Sequence, residues 1–268
     1  DIDAPLLPTF LSFLLIILSL ESLRRTGGKF IFYIAIFFTT YPIFADMMPG
    51  ALWGNVYSIS EAARAHSMGL ESLIGIPMKV AGSLLIGFLI YGIILAETGG
   101  GKFFIDIAES IMGKYRGGPA KVAILASGFF GMLSGSPTSN VITSGSLTIP
   151  AMKKAGYSAR YAAAIEACAS TGGVLMPPVM GTVAFIMASF LNLPYSEILL
   201  AALIPGLIFY IALIIQTDLY AAKNNLEGME LNKIPKFFPT IINGFPYILS
   251  FISLIWLIIS AKLESEAP

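Results

Sequence analysis

Residues 120–178 restrict the chain more than any other stretch, because their apolar character is interrupted where a membrane-crossing helix tolerates interruption least. Residues 118–133 form a mostly apolar arm of about sixteen residues, short of the roughly 20 that a full hydrocarbon crossing takes. The uncharged segment Ser134-Gly135-Ser136-Pro137-Thr138-Ser139-Asn140 follows, and a second short arm, 141–152, leads to Lys153 and Lys154. Two short arms joined by breakers predict a re-entrant helical hairpin. Irregular backbone at membrane depth survives only where protein or a water-filled cavity satisfies its amides, so a Ser/Gly/Asn tip there marks a place for an ion or a polar solute. Residues 161–193 form a further apolar run, cut by Thr171-Gly172-Gly173 and by Met176-Pro177-Pro178. Proline removes a donor and paired glycines weaken a helix, so this run predicts two half-helices. Discontinuous helices of this kind hold coupling ions and anionic solutes in secondary transporters.

With 56% hydrophobic and 12% charged residues over 268 positions, the composition lies far from the roughly 25% charged of soluble domains. It reads as an all-α integral membrane protein. Sixteen basic and sixteen acidic residues cancel, which leaves no basic surface for nucleic acid. Cys168 is the single cysteine and reads as a small packed residue without a ligand set. Motifs for metal hydrolysis, phosphate-binding glycine loops and an activated nucleophile are absent, so no enzyme and no cofactor is expected. The chain opens at Asp1 without methionine and closes on a polar tail, with no evident signal peptide, and is expected to be a processed product or a piece of something longer.

Membrane spans are predicted at 6–20, with an extension to Leu23 at the interface, at 30–48 with a kink at Pro42, at 80–96, at 198–219 and at 238–259. Residues 50–77 carry Asn55, Glu61, Arg64, His66 and Glu71 and are expected outside the bilayer or along its surface, with His66 solvated. Residues 97–116 carry Phe103, Phe104, Ile107, Ile111 and Met112 at helical spacing and predict an amphipathic helix at the interface. If Arg24, Arg25 and Lys29 are cytoplasmic, alternation with a returning hairpin puts Lys102, Lys114, Arg116, Lys121, Lys153, Lys154, Arg160, Lys223, Lys233 and Lys236 there too. Only Arg64, Lys79 and Lys262 then lie outside, as the positive-inside rule requires. A single crossing of 118–152 would erase that bias.

Ser134, Ser136, Thr138, Ser139 and Asn140, with backbone carbonyls freed near Gly135 and Pro137, supply the neutral oxygens a monovalent cation such as sodium needs, and Thr171, Gly172 and Gly173 can complete the shell. The competing reading is that small polar residues only let helices pack closely. Free amides near Asn140 to Thr143, and at the half-helix after Pro177 and Pro178, suit a carboxylate-sized solute. Thr138, Ser139, Thr143 and Thr182 are its candidate side-chain contacts, against ordinary packing. Glu166 is the charged residue expected within a span, with a structural bond to the hairpin and proton coupling both open.

The run SGSPTSNVITSGSLTIPAMKKAGYSARYAAAIEACASTGGVLMPPVMGTVAFIMA, from Ser134 to Ala188, resembles the large permease (DctM-like) subunit of tripartite ATP-independent periplasmic (TRAP) transporters. Together with FFIDIAESIMGKYRGGPAKVA from Phe103, it looks like the fused permeases of the TAXI branch, and residues 6–29 look like the last helix of a fused small-subunit portion. The resemblance implies a sodium-coupled, elevator-type importer in a bacterial or archaeal cytoplasmic membrane, fed by a periplasmic binding protein with small carboxylates such as glutamate or C4-dicarboxylates. It implies one sodium site at Ser134, Gly135, Ser136, Asn140, Thr171, Gly172 and Gly173. Pro137 stands where family tips often carry alanine. The family builds its site from two inverted repeats, and one is present here. The expected organisation is therefore a small-subunit remnant (1–29), scaffold spans (30–116), a transport hairpin with its broken helix (117–193), a span and linker (194–236) and the start of a second repeat (237–268), with the remainder of the permease as partner. A non-transporting membrane scaffold is the alternative; a channel would need symmetry-related copies.

Overall fold

The computed structural model describes residues 5–260, so Lys262 and the polar tail lie outside the described residues. Among these the chain is helical and has no strand. It divides into two compact units, Asp1–Val80 and Ala81–Pro268. By length and composition, three helical runs can cross a membrane, Leu6–Ile43, Ile76–Met112 and Tyr195–Lys223, and a fourth if the bent pair at the C-terminal end counts as one. Large apolar side chains such as Phe10, Ile17, Ile204, Ile208 and Ile215 are exposed on these helices. In water such a surface would aggregate; in lipid it is solvated.

The first unit holds α1 (Leu6–Thr40), α2 (Ile59–Met68) and α3 (Ile76–Val80). Two separate spans were expected here with the basic residues between them. α1 is two helical stretches joined at a kink at Gly28 (φ 81°, ψ 172°), so the division falls where it was expected, but by a kink and not a loop, with Arg24 and Arg25 still in the first stretch. Glu21 explains the continuity, accepting from Arg24 at 2.6 Å and from Arg25 at 2.8 Å one turn ahead, which supports the helix through the basic cluster. Pro42 does not kink a span; it lies in the short 3-10 turn after α1. Within residues 50–77, Ser58 and Glu61 form a reciprocal cap that starts α2. His66 lies in the last turn of α2, partly buried, and with Ser19, Thr39 and Glu71 lines a cavity of about 480 Å³.

The second unit contains α4 (Ile86–Leu95), α5 (Gly101–Met112), α6 (Gly118–Ser134), α7 (Pro137–Lys154), α8 (Ala159–Gly173), α9 (Thr182–Leu191), α10 (Tyr195–Lys223), α11 (Phe237–Asn243) and α12 (Phe245–Ile259). The apolar face of α5 was expected to rest on the bilayer interface. Phe103 and Phe104 are instead buried in a cluster with Leu95, Met132 and Leu133, packed by Tyr247 and Phe251. The expected last span is likewise two helices, α11 and α12, bent by 59°. The bend sits at Gly244, where a Cβ would lie 1.9 Å from the Phe103 ring.

Helices α6 and α7 form an antiparallel hairpin. Tyr157, just past α7, donates to the Gly117 carbonyl at 3.3 Å, while Gly117 N donates to Leu226 O at 3.2 Å and Met229 N to Gly113 O at 2.8 Å. Lys121 at the start of α6 and Arg116 before it both pair with Asp218 near the end of α10, Lys121 at 2.5 Å. The base of the hairpin is thereby fixed to α10. A core of Ala120, Ala123, Ile124, Met152, Ala162, Ile165 and Tyr210 joins both arms to α8 and α10. Small residues at these positions let the helices approach closely, the packing mode that holds helices together in lipid.

Candidate functional site

At the far end from that base, the chain turns through only two residues. Gly135 closes α6 in the left-handed region (φ 56°), and Ser136, extended, caps α7 by accepting from Ser139 N at 3.4 Å, with Pro137 in the first helical turn. The sequence suggested a break reaching to Asn140. Thr138, Ser139 and Asn140 are instead the opening turn of α7, because proline is compatible with helix starts and the Ser136 cap satisfies the first free amide.

The broken helix is also displaced from its expected points. Helix α8 continues through Thr171, Gly172 and Gly173, the backbone is irregular from Val174 to Gly181, and α9 starts at Thr182. Thr182 is thus the first residue of its half-helix. The irregular segment contains a cis peptide between Pro177 and Pro178 and left-handed Met180 (φ 57°). A non-glycine residue in that region costs about 1 kcal/mol or more and persists only where its surroundings hold it. Here Tyr195 of α10 does so, its buried hydroxyl donating to Pro178 O at 2.8 Å and to Val179 O, while its ring stacks on Phe185 of α9 at 4.2 Å.

Tip and irregular segment meet directly. Val179 N donates to Met132 O at 3.2 Å, one of the carbonyls left open at the end of α6. A Cβ on Gly135 would lie 2.3 Å from Met180 O. One turn below, α6 and α8 touch backbone to backbone: a Cβ on Gly131 would lie 2.3 Å from the Gly173 Cα, and one on Gly173 2.4 Å from the Gly131 Cα. The Asn140 amide sits at the same junction, 1% exposed, with Nδ2 donating to Ser127 O at 2.7 Å. That bond fixes the amide orientation, because a carbonyl only accepts.

Of the sequence-predicted ion ligands, Ser134, Gly135, Ser136, Asn140 and Gly173 lie around this junction. Thr171 and Gly172 do not present side-chain positions to it. The Thr171 hydroxyl is turned to Ala167 O at 2.8 Å, and Gly172 faces the rings of Phe209 and Tyr210. Their carbonyls take part in capping, Thr171 O accepting from Val174 N at 3.4 Å and Gly172 O from Leu175 N at 3.0 Å. Among the candidate solute contacts, Thr138, Ser139 and Thr143 are exposed on α7, with Thr143 bonded to Ser139 O at 2.9 Å. Pro137 and Thr182 line an apolar cavity of about 700 Å³ with Gly135, Met180 and Ile198. Pro177 and Pro178 do not line it, and the Pro178 carbonyl is held by Tyr195.

Beneath the junction lies a cluster of hydroxyls that the sequence reading missed. Glu166 of α8 is 0% exposed. It accepts from Ser127 of α6 at 2.6 Å, from Ser144 and Thr148 of α7 at 2.5 Å each, and from Ser170 at 3.3 Å. Among the described residues no cation pairs with it, and Arg160 is exposed. An unsupported buried carboxylate would cost several kcal/mol; four donors on three helices offset that cost and bond the hairpin to α8. The structural bond expected for Glu166 is present. Its partners were legible as spacing, since Ser144 with Thr148 and Glu166 with Ser170 each recur at four residues and share a helix face.

This arrangement, a multi-helix membrane protein whose helical hairpin caps a discontinuous helix over a buried polar junction, defines a transporter component. The family described as "Tripartite ATP-independent periplasmic transporter, DctM component" matches residues 14–268, and the chain belongs to it. This is a family of transport permeases, not of enzymes. The match begins inside the segment expected to close a small-subunit portion. The chain is similar to the C4-dicarboxylate TRAP transporter large permease protein DctM of Vibrio cholerae, at 35% identity over 53% of this chain and 31% of the relative. It is also similar to the isethionate TRAP transporter permease protein DctMQ of Oleidesulfovibrio alaskensis (30%, 53% and 22%) and to the ectoine/5-hydroxyectoine TRAP transporter large permease protein UehC of Ruegeria pomeroyi (27%, 74% and 45%). The chain thus spans less than half the length of these relatives.

Proposed function

We propose that the chain forms the first-repeat part of a sodium-coupled TRAP permease of the TAXI branch, importing a small carboxylate across a cytoplasmic membrane. The buried Asn140 at the Gly131–Gly173 contact carries this reading. Asn140 is buried where the carbonyl ends of α6 and α8 meet, with Nδ2 toward the glycine contact, and the neutral oxygens gathered there, without a formal charge, suit a monovalent cation. Ser134, Gly135 and Ser136 contribute from the tip, and Thr171, Gly172 and Gly173 through backbone oxygens. The carboxylate is assigned to the opening turns of α7 and α9, where Thr138, Ser139 and Thr182 sit at the positive helix ends.

The rest of the transporter is inferred in the same way. A second inverted hairpin and broken helix complete the site, a small permease portion accompanies it, a periplasmic binding protein delivers the solute, and hairpin with broken helix moves as one elevator body. The exposed hydroxyl face of α7, with Thr138, Ser139, Thr143 and Ser146, supports a second half that covers it, because lipid cannot solvate those groups.

Uptake by the complete permease with its binding protein in sodium-loaded and sodium-free proteoliposomes tests this. Asn140→Ala is expected to raise half-saturating sodium by about tenfold or more, the weight of one lost coordinating contact. Uptake indifferent to sodium and to Asn140 would leave only the non-transporting scaffold reading.

A further inference from the structure

The irregular segment between α8 and α9 is held at two points by backbone bonds, Val179 N to Met132 O at 3.2 Å and Gly181 N to Val174 O at 3.0 Å. A side chain from α10 supplies a further tie. Tyr195 Oη donates to Pro178 O at 2.8 Å and to Val179 O, so one proton is shared between two carbonyls. Among the described residues no backbone amide donates to either of them. The ring that carries the hydroxyl is itself closely packed, stacked on Phe185 of α9 at 4.2 Å and 6.4 Å from the buried Phe88 of α4.

We propose that Tyr195 is a positioning residue for the transported carboxylate, its hydroxyl setting the course of residues 178–181 and with it the opening turn of α9. This rests on the assignment of the carboxylate to that turn, given above. Tyr195 does not touch the solute, because it is 1% exposed and lies outside the lining of the cavity that Pro137 and Thr182 share. It acts through the backbone, where only Met180 and Gly181 separate Val179 from Thr182. Met180 is left-handed (φ 57°), a conformation that its surroundings must hold, and its carbonyl lies against the tip, 2.3 Å from where a Cβ on Gly135 would stand. Without the Tyr195 hydroxyl the two carbonyls before Met180 lose their donor, the left-handed residue is free to relax, and Thr182 moves with it. The oxygens assigned to the ion are less exposed to this change, since Thr171, Gly172 and Gly173 belong to the helical end of α8 on the other side of Val174. Solute affinity should therefore depend on the hydroxyl and sodium affinity should not.

The test is the thermal midpoint of the purified complete permease in detergent, followed as sodium is raised without solute and as succinate or glutamate is raised in saturating sodium. Tyr195→Phe keeps the ring and removes the hydroxyl alone. In it the half-effective solute concentration should rise about three- to tenfold, the weight of one hydrogen bond, while half-effective sodium stays within about twofold of wild type. A hydroxyl that is only structural lowers the midpoint without ligand and moves neither value, and that result overturns the positioning role. Equal rises in the solute and sodium values overturn it as well, because the whole junction would then have loosened. Thr182→Val separates this role from the carboxylate site beneath it: a raised solute value there, with none in Tyr195→Phe, leaves the site standing and removes Tyr195 from it. A wild type that responds to neither succinate nor glutamate overturns the carboxylate reading and the role of Tyr195 together. Should Tyr195→Phe fail to fold, Phe185→Leu, which removes the ring stacked on Tyr195, decides: a raised solute value with unchanged sodium supports the role, and an unchanged solute value overturns it.

Discussion

Gly131 and Gly173 show how much a single missing Cβ can decide. Their Cα atoms stand so close that a methyl on either falls within 2.4 Å of the other's backbone. Close approach in lipid is favourable because no hydrophobic force brings helices together there and contact area must do it. Gly173→Ala is therefore expected to destabilise the second unit by about 1–3 kcal/mol through overpacking, read as a lower thermal midpoint of the purified protein in detergent. Neither glycine stands out in the sequence as a contact. TGG read as a helix breaker, whereas the structure keeps it helical and uses Gly173 for proximity. Glu166 was legible as an acid within a span, and the four-residue recurrence of Ser144 with Thr148 was legible as spacing, but that the two meet is a tertiary fact that no local pattern carries.

Also at this scale, the Glu61 carboxyl is held below its ordinary value, first by the Ser58 side chain and then by the Ser58 backbone amide it accepts from at 2.7 Å. A carboxyl whose folded value is depressed contributes stability that is present above its unfolded value, near the usual 4.5, and is lost as pH falls through the folded one. Acidification should therefore fray the start of α2. Exchange of the amides of residues 59–62, corrected for intrinsic rates, is expected to accelerate below about pH 4 in the wild type, following the depressed carboxyl. In Ser58→Ala it should already be fast at neutral pH, with a cost of about 1 kcal/mol.

Elements were read from the sequence more reliably than their ends. The hairpin, the discontinuous helix and α10 all stand where hydropathy placed them, since apolar length and the breakers Gly, Pro and Ser are local properties. Boundaries moved wherever a partner outside the segment intervened. Pro137 starts α7 four residues before the expected arm because Ser136 caps it. The break between the first two spans narrows to a kink at Gly28 because Glu21 holds Arg24 and Arg25 in the helix before it. The last span bends because Phe103, distant in sequence, occupies the space beside Gly244. The amphipathic pattern of α5 was real, but periodicity alone does not say whether an apolar face meets lipid or protein.

For the molecule as a whole, the hairpin fixes which loops share a side. Its arm α6 has 17 residues, about 26 Å at 1.5 Å per residue, and the hydrocarbon core is about 30 Å thick. Both arms begin and end at the base formed by Gly117, Tyr157, Leu226 and Met229. Single cysteines at Lys114, Lys154 and Lys223 should therefore react with an impermeant maleimide from the same face in oriented vesicles. Labelling of Lys154→Cys from the opposite face would mean that α6 and α7 do not return.

The Gly131–Gly173 contact also acts as a vernier. If α6 slid by one turn along α8 so that Ser127 came opposite Gly173, a hydroxymethyl group would need room where the backbones leave none even for a methyl. That register is sterically closed, so a displacement of the hairpin in this direction must carry α8 with it.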